Sequence, residues 1–431
     1  MNFGVIMLKK FIIFYFYLKT KYFNNFKSKK DLHDWQEKKI LKKSKYYQTK
    51  YNGLKPENWR EFPLIDKHEL MKNFDSLNTV NITKEDAFNI AYKAEKERDF
   101  SPKIKGITVG LSSGTSGNRG IFLASDIERY KWAGAVLAKI LPKSIFCKNK
   151  IAFFLRANSN LYEAIKSKTV IFKYFDMLKP IEKNLKELDS FKPSIIIAPP
   201  SMLKIIAKNY KNLNINPEKI IAVAEVLEDL DKSFMEKIFS QKIHQVYQAT
   251  EGFIATTCKC GNLHINEDVL AIQKEYIDKE NGKFIPIITD FNRTSEPIIR
   301  YRLNDILTEA DFQCPCGSKF LCIKKIEGRC DDIFMLKSKK DENLIQIFPD
   351  FISRAVIFSS PLIQEYKIIQ ISYDCIEIYI DAENEFEKVK NALIELFEKK
   401  HCQIPEFKII SKPENTGTKK FKRIECAINK K

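Results

Sequence analysis

Residues 111–120 read LSSGTSGNRG, three Ser, one Thr and three Gly in ten positions. The residues ahead, 106–111 (GITVGL), predict one strand, and 121–124 (IFLA) predict another. A loop of this kind has the parts of a phosphate cradle: glycines let backbone N–H groups turn inward, and hydroxyls add donors for anionic oxygens. No Gly-Lys-Ser/Thr closes it, and the chain re-enters a strand instead of opening a helix, so it is not a Walker loop. A helix is expected only after Ser125-Asp126-Ile127-Glu128, which has the form of a capping box.

Outward from the loop, apolar runs alternate with helical patterns. Strands are expected at 151–155, 194–198, 220–224 and 243–247, with one helix following Pro199-Pro200 and another near 229–239. Short β-branched runs between helices imply an α/β sheet buried on both faces. From 254 to 326 the pattern changes to short strands with turns at Asn281-Gly282 and Pro315, an antiparallel subdomain. Residues 1–100 are rich in Lys and aromatics, with helices expected at 31–44 and 66–74 and turns at Pro56 and Pro63. After Arg329-Cys330-Asp331-Asp332 the character changes again. Ile376, Ile378 and Ile380 alternate with polar or half-polar residues as a strand, and Phe386, Val389, Leu393, Leu396 and Phe397 form a helical stripe before a last strand at 407–410. The expected fold class is α/β. A large N-terminal domain has a helical part (1–100) and a core with an antiparallel subdomain (101–330), and a small α+β domain (331–431) follows.

With 44% hydrophobic and 30% charged residues, the composition is that of a soluble globular chain and argues against a membrane bundle. The apolar run at 11–18 (FIIFYFYL) is eight residues long, where a bilayer needs ~20, and no small-residue cleavage site follows it. It reads as an amphipathic helix docked on the body, with interfacial membrane contact as the alternative, and a cytoplasmic location is expected. A net charge of +18 invites a nucleic-acid partner, yet the basic residues are spread along the whole chain and no binding motif accompanies them. No nucleic-acid partner is expected. Four of the ten cysteines form C-x-C pairs, Cys258/Cys260 and Cys314/Cys316, and His264 lies close to the first. Paired thiols without an export signal point to a metal, and soft ligands in hairpin-like turns suit tetrahedral zinc in a structural role. Five side chains compete for four positions.

Four further segments recur in order: Tyr247-Gln248-Ala249-Thr250-Glu251-Gly252, Tyr301-Arg302-Leu303-Asn304-Asp305, Gly328-Arg329-Cys330-Asp331-Asp332 and Lys419-Lys420-Phe421-Lys422-Arg423-Ile424. Together with the Ser/Gly loop, from about Trp35 to Ile424, they resemble the adenylate-forming (ANL) superfamily. Within it they look most like the branch of phenylacetate–CoA ligases, capsule-locus ligases and deazaflavin-adenylating synthetases. The resemblance implies attack of a carboxylate on the α-phosphate of ATP, with release of pyrophosphate. For the protein this is a task of positioning and neutralising charge. By resemblance, Ser112, Ser113, Gly114, Thr115, Ser116 and Gly117 hold the pyrophosphate. Tyr247 lies against adenine, Thr250 contacts phosphate and Glu251 binds magnesium. Asp305 takes the ribose hydroxyls, with Arg329 placed for ribose or phosphate. Lys420 is the mobile catalytic cation, with Lys419 and Lys422 as rivals in register, and Asp331 is the hinge of the small domain. The same resemblance selects Cys258, His264, Cys314 and Cys316 for the zinc, with Cys260 in reserve.

The chain departs from the family just after the hinge. Residues 335–350 read MLKSKKDENLIQIFPD, without the glycine-rich loop that commonly lines the thiol tunnel, which puts CoA as acceptor in doubt. The implied function is an ATP-dependent ligase that activates a small carboxylate, or a related acidic group, as an AMP derivative, and either stops there or transfers it to a thiol or other acceptor. The alternatives are a nucleotide-binding relative without turnover and a basic zinc protein that binds nucleic acid. The acyl pocket is expected near Trp132, Arg156, Asn158 and Val223 to Glu225.

Overall fold

A computed structural model describes the chain except residues 1–2, 40–43, 51–52, 54–57, 112–119, 157, 159–161, 163, 361, 364, 414–421 and 429–431. The Ser/Gly loop and Lys420 therefore lie outside the described residues. The chain divides into two compact units, the first drawn from described residues of 1–111, 120–303 and 309–324, the second from those of 304–308 and 325–431.

In the first unit, β1 (Lys103–Ile104), β2 (Ile107–Leu111) and β3 (Ile121–Ala124) form a small antiparallel sheet. Its last two strands, β2 and β3, are the predicted flanks of the Ser/Gly loop. Next come β4 (Asn149–Leu155), β5 (Val170–Asp176), β6 (Ile195–Ala198), β7 (Lys219–Val223) and β8 (Ile243–Gln248). They pair in parallel in the order β5-β4-β6-β7-β8. Both faces of this sheet are covered, which explains its uninterrupted apolar runs. Ile151, Phe153, Ile195, Ile197 and Ile221 point into a core shared with the helix Asp126–Ile140. Their neighbours Ala152, Phe154, Ile196, Ala198 and Ile220 point into the opposite core. There Leu188, Leu203 and Met235 arrive from the helices Ile181–Phe191, Pro200–Asn209 and Asp229–Phe239.

The sheet then turns antiparallel through β9 (Phe253–Thr257) and β10 (Leu263–Ile265), and a long hairpin of β11 (Leu270–Asp278) and β12 (Lys283–Asp290) carries β13 (Tyr301–Arg302). The predicted Asn281-Gly282 turn closes this hairpin, with Gly282 at φ +65°. The predicted helix at 31–44 is shorter. It runs Lys29–Glu37 behind a Ser28/Asp31 capping box and ends at Lys38, whose amide bonds back to Gln36 O. The proposed turn at Pro56 lies outside the described residues.

The second unit begins in β14 (Asp305–Glu309) and the end of β15 (Cys322–Arg329), so the change of unit falls inside a strand, a few residues before the expected boundary at 330/331. In the stretch without the glycine loop, β16 (Phe334–Lys337) and β17 (Leu344–Ile347) form a β-hairpin. Its turn is fastened by Ser338 N–H to Asn343 O and by Lys339 N–H to His401 O. β18 (Tyr366–Ser372), β19 (Cys375–Ile380), β20 (Glu406–Ile409) and β21 (Ile424–Cys426) make a sheet of order β20-β19-β18-β21. The helices Pro349–Ser359 and Phe386–Lys399 pack on it through Ile352, Val356, Val389, Leu393 and Phe397.

Candidate functional site

β8 ends in a register shift at Tyr247/Gln248, and the chain reverses at once. Ala249 N–H donates to Gly252 O and Gly252 N–H to Ala249 O, which leaves Thr250 and Glu251 alone at the tip of a tight hairpin. A Cβ on Gly252 would sit 3.2 Å from Asp290 Oδ2, tighter than an ordinary van der Waals contact. Thr250 Oγ1 donates to Glu251 Oε2 at 2.8 Å, and Tyr301 OH donates to Glu251 Oε1 at 2.9 Å. The Glu251 carboxylate is thus aimed from both sides before any ligand arrives.

The tip borders an open cleft that is also lined by Gly120, Ile121, Glu296 and Tyr301. Gly120 is the last residue of the predicted phosphate loop. The fold therefore brings the end of that loop and Thr250-Glu251 to one cleft, although about 130 residues separate them in sequence.

Sequence reading missed the scaffold behind this cleft. Glu296 is buried and accepts from Leu123 N–H at 3.1 Å and from Arg293 Nη2 at 2.6 Å, while its Oε1 has no hydrogen-bond partner. Burial pushes the Glu296 carboxyl up to about 7, against the pull of Arg293 and the Leu123 amide. Arg293 Nη1 also donates to Thr250 O at 2.9 Å, so one guanidinium ties β3, through Glu296, to the hairpin tip. Glu128, read only as a helix cap, does more. It keeps the capping box with Ser125 and also accepts from the amides of Thr294 and Ser295, which anchors the segment carrying Arg293 and Glu296. Burial raises its pKa, but Arg293 and the hydroxyls of Ser125 and Ser295 outweigh this and hold the carboxyl below its ordinary value. Burial likewise lifts Asp290 to about 6.

The expected acyl-pocket residues gather where the parallel strands end. Trp132 Nε1 donates to Gln248 Oε1 at 3.1 Å, Arg156 Nη2 reaches Glu225 Oε1 at 3.5 Å, and Ser201 N–H donates to Glu225 Oε2 at 3.2 Å. Ligands of open α/β sheets bind at this end.

In the second unit, Asp305 at the start of β14 and Arg329 at the end of β15 lie side by side, with Nε 3.8 Å from Oδ1. Cys330 N–H donates to Asn304 O, and Asn304 Nδ2 donates to Asp331 Oδ2 at 2.5 Å, so the proposed hinge begins in a hydrogen-bonded turn. Lys422, one rival of Lys420, is already engaged: its Nζ lies 2.5 Å from the buried Asp332 carboxylate.

Cys258, His264, Cys314 and Cys316 converge so that their ligand atoms all lie within 4.8 Å of one another. Cys258 Sγ and Cys314 Sγ are 3.7 Å apart, and Cys316 Sγ is 3.5 Å from His264 Nε2. Tetrahedral zinc with ordinary Zn–S and Zn–N bonds sets these spacings at about 3.8 Å and 3.6 Å. His264 Nδ1 lies 3.2 Å from Phe320 O, so a proton donated there leaves Nε2 as the ligand nitrogen. Asn262 Nδ2 donates to Cys314 Sγ at 3.1 Å. Cys260 stands outside the cluster, donating only its amide to Cys258 Sγ at 3.3 Å. These side chains fit a zinc ion.

No family model matches the chain. Among curated proteins it is 27% identical over 258 residues to "Protein CapK" of Staphylococcus aureus, covering 58% of this chain and 54% of that protein. It is 25% identical over 234 residues to an indoleacetate–lysine synthetase of Pseudomonas savastanoi, covering 50% and 57%. It is 19% identical over 205 residues to a phenylacetate–coenzyme A ligase of Thermus thermophilus, covering 44% of each. The chain thus spans about half the length of the curated relatives it matches. Over nearly its full length it has the fold of a solved 2-hydroxyisobutyryl-CoA ligase in complex with 2-HIB-AMP. The TM-score is 0.65 at 15% identity, with 96% of this chain and 88% of that one covered.

Proposed function

We propose that the chain is an ATP-dependent ligase of the adenylate-forming superfamily. It activates a small carboxylic acid as an acyl-AMP, releases pyrophosphate, and passes the acyl group to an acceptor. The observation that carries this reading is the shared cleft of Gly120, Thr250 and Glu251. It joins the end of a Ser/Gly phosphate loop to a carboxylate fixed by two hydrogen bonds.

In this reading Ser112 to Gly117 hold the departing pyrophosphate and Thr250 donates to a phosphate oxygen. Glu251 holds magnesium, which neutralises phosphate charge when bound. The hydrogen bonds from Thr250 and Tyr301 keep that carboxylate in one orientation, so less order must be imposed at the moment of reaction. Tyr247 backs the adenine. Asp305 accepts from the ribose hydroxyls, and Arg329 beside it supplies a cation for ribose or phosphate. Lys420 brings a compact positive charge to the carboxylate and α-phosphate as the negative charge between them builds.

Zinc at Cys258, His264, Cys314 and Cys316 is structural in this reading, because four ligands fill a tetrahedral shell and no residue is left to activate water. The acceptor is a nucleophile other than CoA. Support comes from the hairpin Phe334–Ile347 in the stretch where the glycine-rich loop is missing, and from an indoleacetate–lysine synthetase among the relatives. The enzyme is cytoplasmic. To test the chemistry, the protein would be incubated with magnesium, ATP and single acids without acceptor, and the product mixture weighed by mass spectrometry. An acyl-AMP from one acid class supports the proposal. ATP binding without adenylate from any acid would favour a relative that no longer turns over.

A further inference from the structure

The helix Phe3–Leu18 is apolar on two faces, and only one of them is used by the fold. On the inner face Tyr17 is 1% exposed, and Ile12, Ile13 and Leu18 pack into the core beside the helix Asp126–Ile140. The two helices cross so closely that a Cβ on Gly134 would lie 2.5 Å from Ile13 O. Tyr17 OH also accepts from Ile145 N–H at 3.3 Å. The helix is thereby fixed in rotation, and what its other face presents is a property of the fold.

That other face presents Met7, Leu8, Phe11, Phe14 and Tyr15, all exposed, with Phe11 at 69%. Their spacing, i, i+1, i+4, i+7 and i+8, is one continuous helical stripe. It continues into Tyr22 and Phe23, and Phe146 joins from the body, 72% exposed with its ring 5.6 Å from that of Phe14. Single exposed apolar residues are ordinary on protein surfaces, but a contiguous patch of this size marks an interaction site.

Charge identifies the occupant. The first thirty residues hold seven Lys and no Asp or Glu, within a chain of net charge +18. Lys29 is neutralised by Glu267, but Lys10, Lys27, Lys30 and, beside Phe146, Lys148 are exposed. A second copy docked on the same face would set lysines against lysines. An anionic lipid surface offers apolar depth for the aromatics and negative headgroups for the lysines. The helix is 16 residues, about 24 Å, too short to span a hydrocarbon core of about 30 Å. Among the described residues no helix is long and apolar enough to cross a membrane.

We propose that this helix, with Phe146, docks the protein on anionic lipid bilayers. The inference is independent of the adenylation chemistry. The test is co-sedimentation of the full chain with vesicles of phosphatidylcholine alone and of phosphatidylcholine with phosphatidylglycerol, at low and high salt. Two variants run alongside, F11S/F14S/F146S and K10E/K27E. Every substituted side chain is exposed, and circular dichroism and Tm check that both variants fold. The expected result is binding to anionic vesicles, weakened about tenfold or more in the aromatic variant. Binding should also fall with salt and in the lysine variant. No binding to anionic vesicles by the folded wild type would overturn the proposal. So would equal, salt-insensitive binding to neutral vesicles. A lipid-free dimer in analytical ultracentrifugation that the aromatic substitutions dissociate would overturn it too, by giving the face to a second copy.

Discussion

Two regions of the first unit collect ionisable side chains in opposite ways. In the cleft, Glu251 and Glu296 are held by groups the protein itself supplies: Tyr301, Thr250, the Leu123 amide and the Arg293 guanidinium. At the Cys/His corner, three thiols and an imidazole crowd together, with hydrogen-bond donors from the Asn262 side chain and the Cys260 and Ser318 amides. Two thiolates held at the 3.7 Å separation of Cys258 and Cys314 would repel unless a positive ion sat among them. One site is preorganised by hydrogen bonds and keeps its coordination open. The other has the spacing of a metal site. Damage to the first should appear in rate, and damage to the second in stability.

The largest effect should come from the corner. Cys314→Ser, or a strong chelator on the wild type, is expected to remove about one equivalent of zinc and to lower Tm by more than about 10 °C. Metal analysis and calorimetry check it; a protein purified without zinc, yet equally stable, would break the comparison.

Arg293→Met comes next. It leaves Glu296 buried beside Leu123 without its cation, a loss of about 3–5 kcal/mol in denaturant unfolding, and it frees the Thr250 carbonyl. Arg293→Met/Glu296→Met should recover much of that stability, because both partners are then gone.

Glu251→Ala should slow adenylation by about 10²-fold or more while leaving Tm within a few degrees. A large drop in Tm with little change in rate would mean that Glu251 merely holds Tyr301.

The smallest effect is one of pH. Glu296 has its folded pKa raised to about 7 from an ordinary 4.5, so the folded state holds its proton more tightly than the unfolded chain does. The stability this gives is full below about pH 4.5 and is lost as pH rises to about 7, at most ~3 kcal/mol. Glu296→Gln should flatten that slope in unfolding measured from pH 4.5 to 7.5, and an unchanged slope would assign it to other groups such as Asp290.

How legible these regions were in the sequence follows from their physics. The parallel strands were readable because burial on both faces leaves unbroken runs such as Ile195-Ile196-Ile197-Ala198. The zinc-type cluster was readable because its ligand types are rare and paired, and the four chosen side chains are the ones that converge. The scaffold of the cleft was not readable. Leu123 and Glu296 are partners 173 residues apart, and neither helical nor strand periodicity carries such a signal. Glu128 showed its local bond to Ser125 but not its bonds to Thr294 and Ser295. The passage from first to second unit lies inside β15, where strand continuity hides a boundary that a change of composition puts a few residues later. The exposed stripe of the first helix was visible as an apolar run, but which face the body covers depends on Gly134, far along the chain.

The central claim is that this protein makes an acyl-adenylate. The most direct measurement is magnesium-dependent ATP–pyrophosphate exchange over a panel of aryl, fatty, amino and sugar acids, with Lys420→Ala alongside. The account predicts exchange that depends on one class of acid and falls by about 10²-fold or more in the variant. Exchange that persists unchanged in Lys420→Ala, or no exchange with any acid by a protein that binds ATP, would contradict it.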